Sequence, residues 1–185
     1  MIVLVNDVKA YRRELTGLVR EGDVVVEIGP HRGAATRMVL RKEPELVVTV
    51  DYGEDAAEAM RELEREHDNL VHVEGDARDY ETLENVLSVT EGGCDVLAID
   101  MGGGAFPDTV FKVFYTWGVT LRPRDSIVRN AGLCEFVQKV TLIDGVRVRA
   151  DSGFLSDASP PGIPGRIKEK LEEFDMWRDR SLRED

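Results

Sequence analysis

Short β-branched runs alternate along the chain with stretches whose apolar residues recur every three or four positions. That alternation predicts α/β architecture, a doubly wound parallel sheet with helices on both faces. Val24–Ile28 is a continuous apolar run interrupted only by Glu27 near its end, the pattern of a central strand buried on both sides. Leu46–Asp51, Leu70–Glu74, Asp95–Asp100 and Ser126–Asn130 read as further strands. A helix is expected at Val8–Arg20, where Tyr11, Leu15, Leu18 and Val19 keep helical spacing. Others are expected near Ala34–Lys42, Asp55–Glu66, Tyr80–Val89, Asp108–Leu121 and Leu133–Val140. Pro44 stops the second of these and Asp108 caps the fifth. Ile2–Val5 is a short apolar opening. Thr141–Ala150 alternates like a hairpin around Asp144-Gly145, and residues 151–165 form a Ser-, Gly- and Pro-rich loop. A polar terminal helix near Arg166–Arg180 sets Ile167, Leu171, Phe174 and Trp177 on one stripe, read as a docking face on its own domain.

The length of 185 residues suits one domain with a real core. With 42% apolar and 32% charged residues the composition is globular rather than disordered. The apolar runs are far too short to span a bilayer, and no basic segment precedes the N-terminal apolar stretch. No membrane association, no leader and a cytoplasmic location are therefore expected. The formal net charge is −12, which repels a polyphosphate backbone unless positive charge is gathered on one face. Arg122, Arg124, Arg129, Arg147 and Arg149 read as solvated arginines of a charge-rich surface. Cys94 and Cys134 form no paired motif and the three histidines are scattered, so no metal-ligand cluster is spelled out.

Chemistry is concentrated at the strand ends. In VVVEIGPHRGAAT the first long strand ends at Glu27-Ile28, turns through Gly29-Pro30-His31-Arg32-Gly33 and enters a helix. Glycine permits a sharp turn and close ligand approach, and a helix N-terminus favours an electron-rich group. Asp51 closes the next strand, where a carboxylate can accept hydrogen bonds from both hydroxyls of an adenosine ribose; it could equally cap the loop. In EGDARDY, Asp76 could accept from an adenine amino group beside the backbone of Ala77, or serve as a helix cap. CDVLAIDMGGG sets Asp100 at the carboxyl end of the fourth strand, where open α/β sheets bind ligands.

The run E-x-G-x-x-x-G, then a strand-end Asp, then GDA, then a strand-four Asp resembles the class I S-adenosylmethionine (SAM)-dependent methyltransferases. LRPRDSIVRNAG is similar to the segment leading into that family's fifth strand. The resemblance covers roughly Val24 to Asn130. It implies a mostly parallel seven-stranded sheet in a single domain over 1–185, with a cofactor-binding half at about 22–130 and the hairpin and helix at about 141–182. It further implies that SAM is the cofactor. Glu27, Gly29 and Gly33 would frame its methionine end, Asp51 the ribose, Tyr52, Asp76 and Ala77 the adenine, and Asp100 the sulfonium and acceptor. Two departures stand out. His31 occupies the place of the pattern's middle glycine. Arg129-Asn130 replaces the Asp-Asn of the metal-dependent O-methyltransferases, which argues against a bound divalent cation.

The expected activity is methyl transfer from SAM to a small-molecule or protein acceptor, with Asp100 or His31 as base. The acidity argues against RNA. Tyr11, Trp117 and Phe106 are candidates for a substrate pocket, though such aromatics more often belong to the core. A non-catalytic SAM- or nucleotide-binding module is the main alternative, since no catalytic signature is spelled out. A nicotinamide-dependent oxidoreductase would require G-x-G-x-x-G, and the turn here is G-x-x-x-G. A homodimer would use Ile2–Val5 or the terminal helix.

Overall fold

The computed structural model describes residues 1–143 and 152–155. The terminal helix and most of the predicted hairpin lie outside the described residues. Among those described, six strands form one parallel sheet: β1 (Ile2–Val5), β2 (Val24–Ile28), β3 (Leu46–Asp51), β4 (Leu70–Glu74), β5 (Val96–Ile99) and β6 (Asp125–Arg129). The helices are α1 (Val8–Leu18), α2 (Thr36–Leu40), α3 (Glu54–Glu64), α4 (Tyr80–Val89), α5 (Pro107–Leu121) and α6 (Ala131–Lys139). Three of the strands begin and end at the residues expected from the pattern; α2 is shorter than expected, its first turn being drawn into the preceding loop.

The sheet order is β1-β6-β5-β2-β3-β4. The chain runs outward from β2 through β3 to β4, then returns to the other side of β2 for β5 and β6. The order therefore reverses between β2 and β5, and the helices that follow these two strands leave in opposite directions. A crevice opens at their carboxyl ends for that reason. Seven strands were expected and six lie among the described residues; one edge of the sheet is formed beside β6. There Ile2–Val5 pairs in parallel with β6, Ile2 opposite Ser126 through Val5 opposite Arg129.

Alternation along the buried strands builds two cores. Val25, Val47, Val96 and Ala98 pack with Tyr11 and Leu15 of α1, Val39 of α2, and Met60 and Leu63 of α3. Val26, Val48, Leu97 and Ile99 pack with Leu83 and Val86 of α4, and Val113 and Trp117 of α5. Asp7 caps α1 by accepting from the Ala10 amide at 2.8 Å, and Asn130 caps α6 by accepting from the Leu133 amide at 2.9 Å. The Asn130 side chain also donates to the Ala105 carbonyl at 2.7 Å, tying α6 to the loop after β5.

Trp117 links core to crevice. Its ring is fully buried, and its indole N–H donates to the Ala77 carbonyl at 2.8 Å, holding the β4–α4 loop against α5. Trp117→Phe removes the donor and leaves a small void. A loss of about 2 kcal/mol is expected in urea unfolding, because a buried carbonyl is left without its partner. A change below about 0.5 kcal/mol would show that Ala77 needs no such support.

Candidate functional site

The crevice is a cavity of about 610 Å³ at the carboxyl ends of β2 to β5, within the range of roughly 300–1,000 Å³ usual for small-molecule sites. Of the residues singled out in the sequence, Gly29, His31, Asp51, Tyr52, Asp76, Ala77 and Asp100 all line it. Glu27 and Gly33 do not; they stand behind the wall. Tyr11 and Trp117 belong to the core, whereas Phe106 lines the cavity and is 65% exposed.

The turn after β2 is determined by two close approaches. Gly29 has a φ of +81°, and a Cβ there would lie 2.3 Å from the Asp100 carbonyl oxygen, a separation no side chain tolerates. Gly33 has a φ of +72°, and its Cβ would meet Met60 Cε at 2.7 Å and Leu63 Cδ1 at 2.8 Å. Glycine is favoured there by the left-handed backbone and by the nearness of two α3 side chains, and Gly33 does not line the cavity. His31, between them, takes the same left-handed backbone with a φ of 51°. The turn keeps its shape with histidine in the middle place, at a cost of about 1–2 kcal/mol. That placement leaves the imidazole exposed at the rim.

Glu27 is the buried member of this turn, only 1% exposed, and its Oε2 accepts from the Thr36 hydroxyl at 2.7 Å. Burial pushes its carboxyl up to about 7, with the nearby Asp100 adding to the rise and the Thr36 hydrogen bond and Arg12 opposing it.

The acidic side chains of the cavity differ in what they already hold. Asp51 Oδ1 accepts from the Gly53 amide at 3.0 Å, while its Oδ2 has no protein partner among the described residues. The Asp76 carboxylate is gripped by Arg78: Arg78 Nε lies 2.9 Å from Oδ1 and Nη2 lies 2.5 Å from Oδ2. Arg129 Nε donates to Asp100 Oδ1 at 2.6 Å, and its Nη1 reaches the Gly103 carbonyl at 3.1 Å. The arginine in place of a second metal carboxylate thus folds onto Asp100 and braces the glycine loop of Gly102–Gly104.

Arg78, Arg12 and Val8 also line the cavity and were not singled out in the sequence. Arg78 had a readable signal, since it stands two residues after Asp76 in GDARDY and the Asx-type turn there brings the pair together. Arg12 and Val8 had none, because only the packing of α1 against β6 and β1 carries them over the mouth.

No family model matches the chain and no curated protein does. Solved structures do. An rRNA methylase from Streptococcus thermophilus has 13% identity, with 71% of this chain and 78% of that chain covered and a TM-score of 0.50. Aeropyrum pernix fibrillarin with natively bound SAM has 18% identity, 67% and 50% coverage and a TM-score of 0.46. Trm5b from Pyrococcus abyssi has 18% identity, 63% and 30% coverage and a TM-score of 0.46. The chain spans only 30% to 38% of the length of three of the larger matched structures. The fold is that of the class I methyltransferases. Among the described residues no helix is long and apolar enough to cross a membrane.

The raised Glu27 carboxyl predicts a pH effect of definite sign. The folded state binds a proton more tightly than the unfolded chain, so stability falls as pH rises from about 4.5 to about 7 and then levels. Glu27→Gln keeps an acceptor for Thr36 and removes the titration. In denaturant unfolding the variant is expected to gain on the wild type by up to about 3 kcal/mol between pH 5 and pH 8. A pH-independent difference would show that Glu27 is charged throughout.

Proposed function

We propose that this chain is a SAM-dependent methyltransferase in which the cavity at the β2–β5 strand ends receives the cofactor. The observation that carries the reading is Asp51: a carboxylate at the tip of β3, one oxygen committed to its own loop and the other open, beside an apolar wall of Ile28, Val50 and Ala77. A flat apolar wall next to one unoccupied acceptor is the chemistry an adenosine needs. The ring is covered on its faces, and the ribose hydroxyls donate to the free oxygen. Gly29, Gly53 and Gly75 contribute backbone without side chains along the same wall. Asp76 is a poorer partner for the adenine amino group than the sequence suggests, because Arg78 already occupies both its oxygens. In our reading the adenine edge is met by the Ala77 backbone, which Trp117 holds in place.

When bound, SAM supplies a methyl group activated on a positively charged sulfur. The chain's own residues then align an acceptor atom and exclude water. The sulfonium would leave the acceptor needing only in-line placement and, where it carries one, the removal of a proton, and that removal would fall to a residue of this chain. Asp100 Oδ2, open while Oδ1 holds Arg129, is the nearer candidate, and His31 at the rim the other. One observation favours a second reading, binding without transfer: Asp100 is already half neutralised by Arg129.

Calorimetry with SAM, S-adenosylhomocysteine and NAD separates the classes, with preference for the first two expected; tight NAD binding without SAM binding would overturn the proposal. Methyl transfer from labelled SAM into a cell extract then separates an enzyme from a binding module. Asp51→Ala is expected to weaken S-adenosylhomocysteine binding by about 1–3 kcal/mol, with thermal unfolding confirming that the variant still folds. Unchanged affinity in a folded variant would reduce Asp51 to a loop cap.

A further inference from the structure

The fold sorts the charge of this acidic chain. α3 carries Glu54, Asp55, Glu58, Glu62 and Glu64 against Arg61 alone. α1 and α2, on the same face of the sheet, carry Lys9, Arg12, Arg13 and Arg37 against Glu14 alone. Lys9, Arg12, Arg13 and Thr16 share one side of α1 through their helical spacing. With Gly17 and with Met38 of α2 they line a shallow, open groove. Lys9 and Arg12 hold no ion pair among the described residues, and Arg13 is exposed and shared only with its neighbour Glu14. Arg12 belongs to both the groove and the cavity, so the two form one continuous surface. On the far wall of the cavity Phe106 is 65% exposed, on a backbone with a φ of 53° that aromatic residues seldom adopt.

We propose that the acceptor is a single-stranded nucleic acid, with phosphates lying along the α1–α2 groove over Lys9, Arg12 and Arg13 and a base entering the cavity against Phe106. This deepens the methyltransferase reading and rests on it for the meaning of the cavity. Guanidinium and ammonium groups along an open groove match a repeating phosphate. An acidic peptide would satisfy the cations but has no use for a bare aromatic face at the end of the track, whereas a base stacks on it. A base must leave its stack and its pair to enter such a cavity, which costs least from a single strand, and this favours that form of the ligand. The net charge of −12 does not oppose this. Charges are screened over about 8 Å at physiological salt, so the local sign of the surface governs the contact.

The test is fluorescence anisotropy with a labelled mixed-sequence oligoribonucleotide of about 12 nucleotides, with polyglutamate as the rival ligand and SAM affinity measured alongside. Three phosphate contacts predict an affinity that falls about 20-fold between 50 and 200 mM salt. Lys9→Glu with Arg13→Glu, both outside the cavity lining, is expected to lower oligonucleotide affinity at least tenfold, to flatten the salt dependence and to leave SAM affinity unchanged. Phe106→Ala is expected to lower oligonucleotide affinity about tenfold with the salt dependence intact, since stacking carries no charge. Absence of binding at 50 mM salt, equal binding of polyglutamate, or a double variant that binds like the wild type would each overturn the proposal. Oligonucleotide binding without SAM binding would instead sustain the groove and remove the cofactor reading.

Discussion

Where β2 meets β5, the backbone of Gly29 lies so close to Asp100 that a methyl group on Gly29 would sit 2.3 Å from the Asp100 carbonyl oxygen. The turn leaving β2 can pass this close to the end of β5 because Gly29 carries no side chain. From that contact the remaining geometry follows. The β2 turn folds back over the sheet, the Asp100 side chain is presented to the crevice, and the glycine loop beyond it is left in need of a brace. Arg129 from the next strand supplies one by bonding both Asp100 and Gly103.

Around this contact the molecule divides its polar groups between structure and ligand. Glu27 is withdrawn behind the wall and satisfied by Thr36. Asp76 is spent on Arg78 and Asp100 half spent on Arg129, leaving one oxygen each of Asp51 and Asp100 and the backbone of the glycine turns as the open polar edge. A carboxylate drawn out of water needs a charged or hydrogen-bonding partner, and each arginine here supplies one at the rim of an apolar cavity. A site built this way offers few, well-placed acceptors on an otherwise apolar wall, which suits a nucleoside better than a polyanion. The polyanion we propose would lie elsewhere, on the α1–α2 face, where among the described residues Lys9 and Arg12 hold no ion pair and Arg13 pairs only with its neighbour Glu14.

His31 and Phe106 illustrate how local rules give way at the cavity. Both take left-handed backbone that glycine or asparagine would adopt with less strain, and both are exposed at its edge. The strain is tolerated because flanking elements hold each loop at both ends: Gly29 and Gly33 for the first, the Asn130–Ala105 hydrogen bond for the second. Such positions concentrate where a surface meets a ligand.

The chain's hydrophobic periodicity by itself located the strands β2 to β6, because continuous β-branched runs such as Val24–Val26 are stable only when both sheet faces are covered. β2, β3, β4 and α4 have the limits read from the pattern. The strand-end positions of Gly29, Asp51, Asp76 and Asp100 were legible for the same reason, since in a parallel sheet every strand delivers its last residue to one edge. What only the tertiary structure decided is which of those residues remain available. Arg129 closing on Asp100 and Gly33 lying against α3 rather than in the cavity are contacts between elements far apart in the chain, whose distances no spacing encodes. The gathering of Lys9, Arg12 and Arg13 with Met38, and of Arg12 with Phe106 around one cavity, is likewise a product of packing. Net charge sums over the whole chain, whereas a ligand meets only one face of it.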